Sequence, residues 1–265
     1  MKIQISNLQF SYPGGVQALR GISLDINSSE QVAIVGQNGA GKTTLVKHLN
    51  GLLQPSSGAV RIGDWDTKEH SVAKLARRVG YVFQNPDEQL FSKNVGTEVA
   101  FGPRNLGFSA EQVQGQVKDA LAMTELSDKT ETNPYDLSPT WRKMVALASV
   151  IAMDTPIFIF DEPTTGQDAA NIARIANVIR TLRERGKTVI TITHDIDFCA
   201  ENFERVIAMS QGKVLLDGGA NEVLGQDELL AQTYVDPPQL TRLGKRLGFK
   251  NTVRNAEEFL AALKM

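Results

Sequence analysis

The stretch GQNGAGKT, residues 36–43, decides the fold of this chain. It follows the run Gln31–Val35, which is apolar from Val32 on and typical of a buried strand, and it leads into a helical pattern over 42–50 that Gly51 ends. The spacing G-x-x-x-x-G-K-[ST] between a strand and a helix is that of a phosphate-binding loop. An ordinary glycine-rich turn, the alternative, does not need this order of elements. The sequence therefore predicts an α/β fold that holds a phosphate group.

The residue types of this loop suit that task. Glycines let backbone N–H groups point inward at the positive end of a helix. Lys42 adds a cation for the β- and γ-phosphates, and the Thr43 hydroxyl can bind Mg²⁺. We therefore expect a nucleoside triphosphate and Mg²⁺ as ligands. The predicted nucleotide-binding residues in this segment are Gly36, Asn38, Gly39, Ala40, Gly41, Lys42, Thr43 and Thr44.

Two further strands end in polar residues that can serve the same site. The apolar run at 157–160 ends in Asp161 and Glu162, and the run at 188–193 ends in His194. The carboxyl ends of parallel strands meet at one edge of a sheet, where sites collect. Asp161 is a candidate Mg²⁺ ligand and Glu162 a candidate base for an attacking water. Without the phosphate-binding loop, both strand ends would be ordinary solvated ends.

The rest of the chain alternates between strand and helix patterns. Residues 3–26 contain two alternating runs around a Pro-Gly-Gly turn, which predicts a small antiparallel sheet. A helical insertion is expected at about 85–153. A helical pattern between the strands at 157–160 and 188–193 predicts a βαβ unit in a parallel sheet. Short helices are expected over 221–265.

Composition limits the possible partners and the compartment. The chain of 265 residues has 28 basic and 30 acidic residues, a net charge of -2, so no global field collects nucleic acid. Cys199 is the single cysteine and suits a reducing cytosol. We expect no signal peptide and no membrane span, since no apolar run approaches ~18 residues. Work at a membrane would require another protein.

Taken together, these residues resemble the ATPases of the ABC class over nearly the whole chain. The resemblance is carried by the phosphate-binding loop, Gln84, Leu137-Ser138, Asp161-Glu162, Gly166-Gln167-Asp168 and His194. It implies a RecA-like P-loop core with an N-terminal antiparallel β-subdomain, an inserted helical subdomain and a small C-terminal helical extension. The nucleotide-binding domain would span 1–220, and 221–265 would be an extension with a possible role in dimerisation.

The resemblance also implies roles for single residues outside the loop. Tyr12 is similar to the aromatic residue that stacks on adenine, although a packing position at a strand turn is the alternative. Gln84 would approach Mg²⁺ and the catalytic water, and Asp168 would be the acid of the D-loop. His194 would sense the γ-phosphate, and Ser138 would contact the nucleotide of a partner subunit.

Within this family, residues 83–91 and 99–103 resemble the energy-coupling factor and cobalt-importer branch. Such a subunit would power uptake of a vitamin or transition-metal ion. It would lie peripherally on the cytoplasmic face of the cell membrane. Its partners would be a transmembrane coupling protein and a substrate-binding membrane component. Polar residues at 87–89 beside Leu90 and Phe91 suit a rim and an anchor for such a contact, although an ordinary capped surface helix needs no partner.

One motif departs from the family pattern. Where the family usually has Leu-Ser-Gly-Gly-Gln, this chain has Leu137-Ser138-Pro139-Thr140-Trp141. Ser138 and Pro139 remain a good N-cap and first helical residue, but proline has no N–H to offer a phosphate. In this family each ATP lies between the P-loop of one subunit and the signature of the other. We therefore expect a heterodimer with a second ABC ATPase whose signature is intact.

Two other functions remain open. A soluble ABC ATPase that does not act in transport shares the nucleotide motifs, but repair forms need long heptad inserts and translation forms usually carry two cassettes, neither of which is seen here. A regulatory ATPase with impaired hydrolysis is suggested by the altered signature. The intact Glu162 and His194 argue against that second alternative.

Overall fold

The computed structural model describes residues 1–264, which form ten strands and eleven α-helices. The strands are β1 Ile3–Ser11, β2 Gln17–Ile26, β3 Gln31–Val35, β4 Ser57–Ile62, β5 Trp65–Asp66, β6 Val79–Val82, β7 Ile157–Asp161, β8 Thr188–Ile192, β9 Arg205–Ser210 and β10 Lys213–Gly219. The helices are α1 Lys42–Leu49, α2 Val72–Leu75, α3 Val95–Asn105, α4 Ala110–Met123, α5 Pro139–Ile151, α6 Ala169–Glu184, α7 Ile196–Asn202, α8 Ala220–Leu224, α9 Asp227–Ala231, α10 Gln239–Arg246 and α11 Ala256–Leu263.

The larger sheet has the strand order β10-β9-β3-β8-β7-β6. All its neighbouring strands run parallel except β10, which is antiparallel to β9. Every residue of β3, β7 and β8 is buried, as expected for strands covered on both faces. Helix α6 connects the parallel neighbours β7 and β8, so the predicted βαβ unit and the α/β class are confirmed.

The smaller sheet has the order β2-β1-β4-β5 and is antiparallel. The predicted hairpin of β1 and β2 is present, and it gains two strands that the sequence did not indicate. In β4 only Val60 and Ile62 are fully buried, and the preceding position on the same face is Gly58, so the apolar alternation is only two residues long. This explains why the sequence pattern did not reveal that strand.

Side chains on the two faces of the larger sheet enter two separate cores. Along β7, Ile157 and Ile159 pack against the antiparallel sheet and α1, whereas Phe158 and Phe160 pack among the helices of the other face. This alternation is the period of two expected of a strand. Packing on both faces therefore holds the sheet in place, and with it the positions at which its strands end.

Helices α3, α4 and α5 lie between β6 and β7 in the chain and pack on one another. Ser138 caps α5 through its side chain and Pro139 takes the first helical position, as the sequence indicated. All residues at 144–151 are buried, which agrees with the apolar character of that segment. Across residues 1–264, no helix combines the length and the apolar character needed to cross a bilayer.

The four C-terminal helices divide into two pairs. Val223 and Leu224 of α8 and Leu230 of α9 belong to the core on the helical face of the large sheet. Helices α10 and α11 contact each other, and α10 also bonds the first pair, because the Lys245 ammonium donates to Asp227 Oδ1 at 2.6 Å. The link between the pairs touches the phosphate-binding loop, because the Gln37 N–H donates to the Thr233 carbonyl at 3.0 Å.

Candidate functional site

The loop after β3 is shaped by two glycines that no other residue can replace without displacement. Gly36 has φ +145° and Gly41 has φ +100°. A Cβ on Gly36 would lie 2.2 Å from the Met209 carbonyl oxygen, and one on Gly41 would lie 2.8 Å from the Ala18 carbonyl oxygen. The loop is thus pressed between the ends of two strands. Its backbone, rather than side chains, surrounds the space in front of α1.

That space is a cavity of about 170 Å³. It is lined by Asn38, Gly39, Ala40, Gly41, Lys42, Thr43, Thr44, Gln84 and Glu162. Helix α1 begins at the cavity, and its N-cap Gly41 supplies no side-chain bond to the first N–H groups, which have no acceptor within the helix. A helix end with such free donors fits an anion. The cradle therefore has the shape and donors that a phosphate chain requires.

Lys42 lies within this cradle. Its Nζ donates to the carbonyl oxygens of Gly36 at 2.6 Å and Gln37 at 3.1 Å. Burial lowers the pKa of the Lys42 ammonium, while Glu162 and Asp161 oppose that shift. A cation held only by main-chain carbonyls can transfer its hydrogen bonds to phosphate oxygens. Lys42 thus lies at the cavity, and its role as a phosphate ligand stays a prediction.

Thr43 and Asp161 form the candidate metal position. The Thr43 hydroxyl donates to Asp161 Oδ1 at 3.3 Å, and the Tyr81 hydroxyl donates to Asp161 Oδ2 at 2.6 Å. Residues 1–264 bring together no group of three or more His, Cys, Asp or Glu side chains able to hold a metal. This donor set does not fit an all-protein cage. It fits Mg²⁺, which keeps several waters and binds phosphates with only one or two protein oxygens.

Tyr81 is a site residue that sequence reasoning missed. Burial, together with the Asp161 carboxylate, raises the pKa of its phenol well above the usual range, so it stays a donor. It fixes the direction of the Asp161 carboxylate, as outer partners of metal ligands do. The only available signal was a tyrosine in the buried strand β6, directly beside β7.

Glu162 and His194 form a pair at the same edge. Glu162 Oε2 lies 2.7 Å from His194 Nδ1 and accepts a hydrogen bond from the Thr165 hydroxyl at 3.2 Å. Glu162 is only 6% exposed and its backbone has φ +49°, an uncommon conformation for a residue with a side chain. Strained backbone of this kind is concentrated at functional sites. Here the backbone of Glu162 directs the carboxylate to the cavity that Lys42 and Thr43 also line.

A second cavity, of about 610 Å³, adjoins the first. Both cavities share Asn38, Gln84 and Glu162, and the second adds His194 and Tyr234. Gln84 thus lies beside both cavities, as predicted for a residue that approaches the metal and water. The structure brings together the predicted residues of the loop with Gln84, Asp161, Glu162 and His194.

Tyr12 lies at the margin of this group. Its hydroxyl is 3.0 Å from the Thr44 hydroxyl, and its ring meets Phe10 edge-on at 4.9 Å between centroids. The side chain is 39% exposed. Its position is thus compatible with both predicted alternatives, stacking on a base and packing at the end of β1.

Ser138 and Asp168 lie outside the group. Within residues 1–264, neither lines the two cavities. Asp168 caps α6 by accepting the Asn171 N–H at 2.8 Å. The Ser138 hydroxyl lies 2.8 Å from the Thr140 hydroxyl. The Ser138 hydroxyl is thus bonded to Thr140, the residue that stands where the family usually has a glycine.

The segment after Gln84 corrects one expectation. Gln89 faces inward, since its Nε2 donates to the Ala146 carbonyl at 2.7 Å and its Oε1 accepts the Phe83 N–H at 3.1 Å. Leu90 is 3% exposed. Leu90 is therefore too buried to be the predicted anchor for a partner, and the Gln89 amide is bonded to α5 and is not free at a rim. Phe91 remains 61% exposed and meets the exposed Phe101 edge-on at 4.7 Å.

Lys143 of α5 is a second residue that sequence reasoning missed. Its Nζ donates to the carbonyl oxygens of Gln84 at 2.5 Å and Phe83 at 3.2 Å. Burial lowers the pKa of this ammonium to about 8, against the opposing effect of Asp161 and Glu162. A lysine within an apolar helix was the available signal, but its partners lie 60 and 59 residues earlier in the chain.

Comparison with known proteins identifies the family of this chain. Residues 19–165 match the family described as ABC transporter. A Methanosarcina acetivorans protein described as an ABC transporter ATP-binding protein is 41% identical over 267 residues, covering 98% of this chain and 44% of its own length. The chain therefore spans less than half the length of that relative. The energy-coupling factor transporter ATP-binding protein EcfA of Methanothermobacter thermautotrophicus is 38% identical over 257 residues, covering 95% of this chain and 83% of its own length.

Solved structures show the same fold. The structure of cbiO1 from Clostridium perfringens, part of the ABC transporter complex cbiONQ, has a TM-score of 0.79 and 33% identity, covering 93% of this chain and 98% of its own. A dimeric ATP-binding cassette in a post-hydrolysis state, bound to ADP and Pi, has a TM-score of 0.75 and 27% identity, covering 82% and 98%. The chain belongs to the ABC transporter family of ATP-binding proteins, whose members hydrolyse ATP.

Proposed function

We propose that this chain binds ATP with Mg²⁺ and hydrolyses it to power an importer of the energy-coupling factor type. The cargo would be a vitamin or a transition-metal ion. The observation that carries the catalytic part is the Glu162–His194 pair beside the phosphate cradle. The importer type is supported by the EcfA relative and by the cbiO1 structure.

The residues of the site have separate roles in this proposal. Lys42 and the first N–H groups of α1 bind the phosphates. Thr43 and Asp161, with Gln84 nearby, would hold Mg²⁺, which neutralises phosphate charge when bound. Glu162 accepts the proton of the attacking water and His194 orients that carboxylate. Tyr12 stacks on the base.

The second half of the proposal is an unequal dimer. Pro139 has no N–H, and the Ser138 hydroxyl is engaged by Thr140, so this signature offers few donors to the phosphates of a partner. Asp168, at the start of α6, would also face that partner. A homodimer would contain two weakened sites. A second ABC ATPase with an intact signature would instead complete one strong site on this chain.

The dimer is tested by comparing hydrolysis by the lone chain with hydrolysis by the complex purified from membranes. We expect slow, non-cooperative hydrolysis by the lone chain and faster hydrolysis once the second ATPase is present. Vigorous cooperative hydrolysis by the lone chain would contradict the heterodimer.

The transport role places the chain peripherally on the cytoplasmic face of the membrane. It needs a transmembrane coupling protein and a substrate-binding membrane component. The exposed pair Phe91 and Phe101, on the segments that follow Gln84 in the chain, would be an apolar contact point for the coupling protein. The test is an affinity pull-down from membranes in mild detergent. Recovery of soluble proteins without any integral membrane protein would favour the alternative of an ABC ATPase outside transport.

A further inference from the structure

Lys143 has no task in the mechanism above, yet it is among the largest fully buried side chains of residues 1–264. It is 1% exposed. Its ammonium donates to two main-chain carbonyls, those of Phe83 and Gln84, which lie where β6 ends and the loop carrying Gln84 begins.

Burial of a cation in this position is costly. Removing an ammonium from water costs several kcal/mol even after relaxation, and only good hydrogen bonds offset that cost. Methionine has a similar volume and would fill the space without a charge. The buried charge is therefore explained by the two carbonyl groups that it binds, and not by the volume that the side chain fills. Charge-assisted bonds to carbonyls are about twice as strong as neutral ones.

The geometry links two parts of the proposed machinery. Ser138 caps α5 and Lys143 lies on it, about 7.5 Å further along the helix axis. Gln84 lies beside both cavities that contain Glu162. A second tie joins the same loop to the same helix, since Gln89 bonds both Phe83 N–H and the Ala146 carbonyl.

We propose that Lys143 is a positioning residue that fastens the Gln84 loop to the helix beginning at Ser138. The loop and helix α5 then move as one body, and the Gln84 side chain stays beside Glu162. The attachment itself rests on the structure; its consequence for hydrolysis rests on the proposed function.

The attachment is tested by hydrogen–deuterium exchange on the full chain without nucleotide. The variants are Lys143→Met and Lys143→Gln, and the control is Lys118→Met, at an exposed lysine of α4. We expect amides over 83–90 to exchange about tenfold faster in Lys143→Met and less fast in Lys143→Gln, whose amide can still donate to one carbonyl. The control should match the wild type. Unchanged exchange over 83–90, or an equal increase across β3 and β7, would overturn the proposal.

The consequence for hydrolysis is tested by a double-mutant cycle with Gln84→Ala in the ATPase complex. We expect Lys143→Met to lower kcat about tenfold with KM within twofold, and Lys143→Gln to restore part of that loss. In the Gln84→Ala background, Lys143→Met should change kcat less than twofold. An equal loss in both backgrounds would show that Lys143 does not act through Gln84. Absence of a membrane partner would disprove the importer but leave the exchange result intact.

Discussion

At the scale of single residues, Glu162 combines burial, a left-handed backbone and a bond to His194. Glu162→Gln should keep ATP affinity within about threefold, because the amide has the same shape, and should lower kcat about a hundredfold or more, because the base is lost. Calorimetry of MgATP binding and a phosphate-release assay measure the two effects. Glu111→Gln, at an exposed position of α4, is the control. Hydrolysis that persists in Glu162→Gln would refute the assignment of Glu162 as the base, whereas absence of hydrolysis in the wild-type complex would favour a regulatory protein.

Tyr12 offers a prediction that separates its two interpretations. Tyr12→Phe removes the bond to Thr44 but keeps the ring, so ATP affinity should change less than about threefold. Tyr12→Ala should weaken ATP binding about tenfold, since stacking of a base on an aromatic ring contributes ~1–3 kcal/mol. Fluorescence titration with ATP measures both. If Tyr12→Ala lowers only the melting temperature, the ring merely packs on Phe10.

Residues such as Glu162 and His194 could be predicted because each follows a buried strand, and parallel strands end together. Tyr81 and Lys143 could not. Their roles depend on which strand lies beside β7 and on which turn of α5 faces the end of β6, and neither is written in the local sequence. Gln89 was misinterpreted for the same reason, because the packing of α5 determines that it faces inward.

At the scale of elements, we expect substitutions of two glycines in the phosphate-binding loop to differ in their effect on stability. A Cβ at Gly39 would meet no atom within 4 Å, so Gly39→Ala should lower the free energy of unfolding only by the strain of its φ of +82°, about 1–2 kcal/mol. Gly36→Ala places a Cβ 2.2 Å from the Met209 carbonyl oxygen and should cost clearly more in the free energy of unfolding. Urea denaturation of both variants measures the difference. Equal losses would mean that the contact with β9 does not constrain the loop.

Elements differ in how well the sequence reveals them. Strands β3, β7 and β8 could be predicted because they are short, continuous apolar runs between polar or glycine-rich segments. Strand β10 could not, since none of its residues is fully buried, and β5 has only two residues. Such edge strands form because a neighbour presents free backbone groups, which is a tertiary effect.

At the scale of the whole molecule, the hairpin of α10 and α11 carries exposed leucines. They are Leu243, Leu247, Leu260 and Leu263. Leu247→Glu combined with Leu260→Glu should weaken association with the second ATPase at least fivefold, because an unpaired carboxylate at a dimer contact would have to be removed from water. ATP binding by the lone chain should not change. Sedimentation velocity of the mixed subunits measures association.

The control for that measurement is Leu52→Glu, at a similarly exposed leucine after α1. It should leave association unchanged. If the double leucine variant associates as the wild type does, the extension has no part in dimerisation and only the nucleotide faces hold the pair together.

The bond between the Gln37 N–H and the Thr233 carbonyl has a practical consequence for anyone who exchanges parts between related ATPases. A cassette cut after residue 220 would lose Val223, Leu224 and Leu230 from its core and one acceptor from its phosphate-binding loop. Chimeras that replace only the hairpin, joined after Asp236, keep both. The transplantable module is therefore shorter than the extension that the sequence suggests.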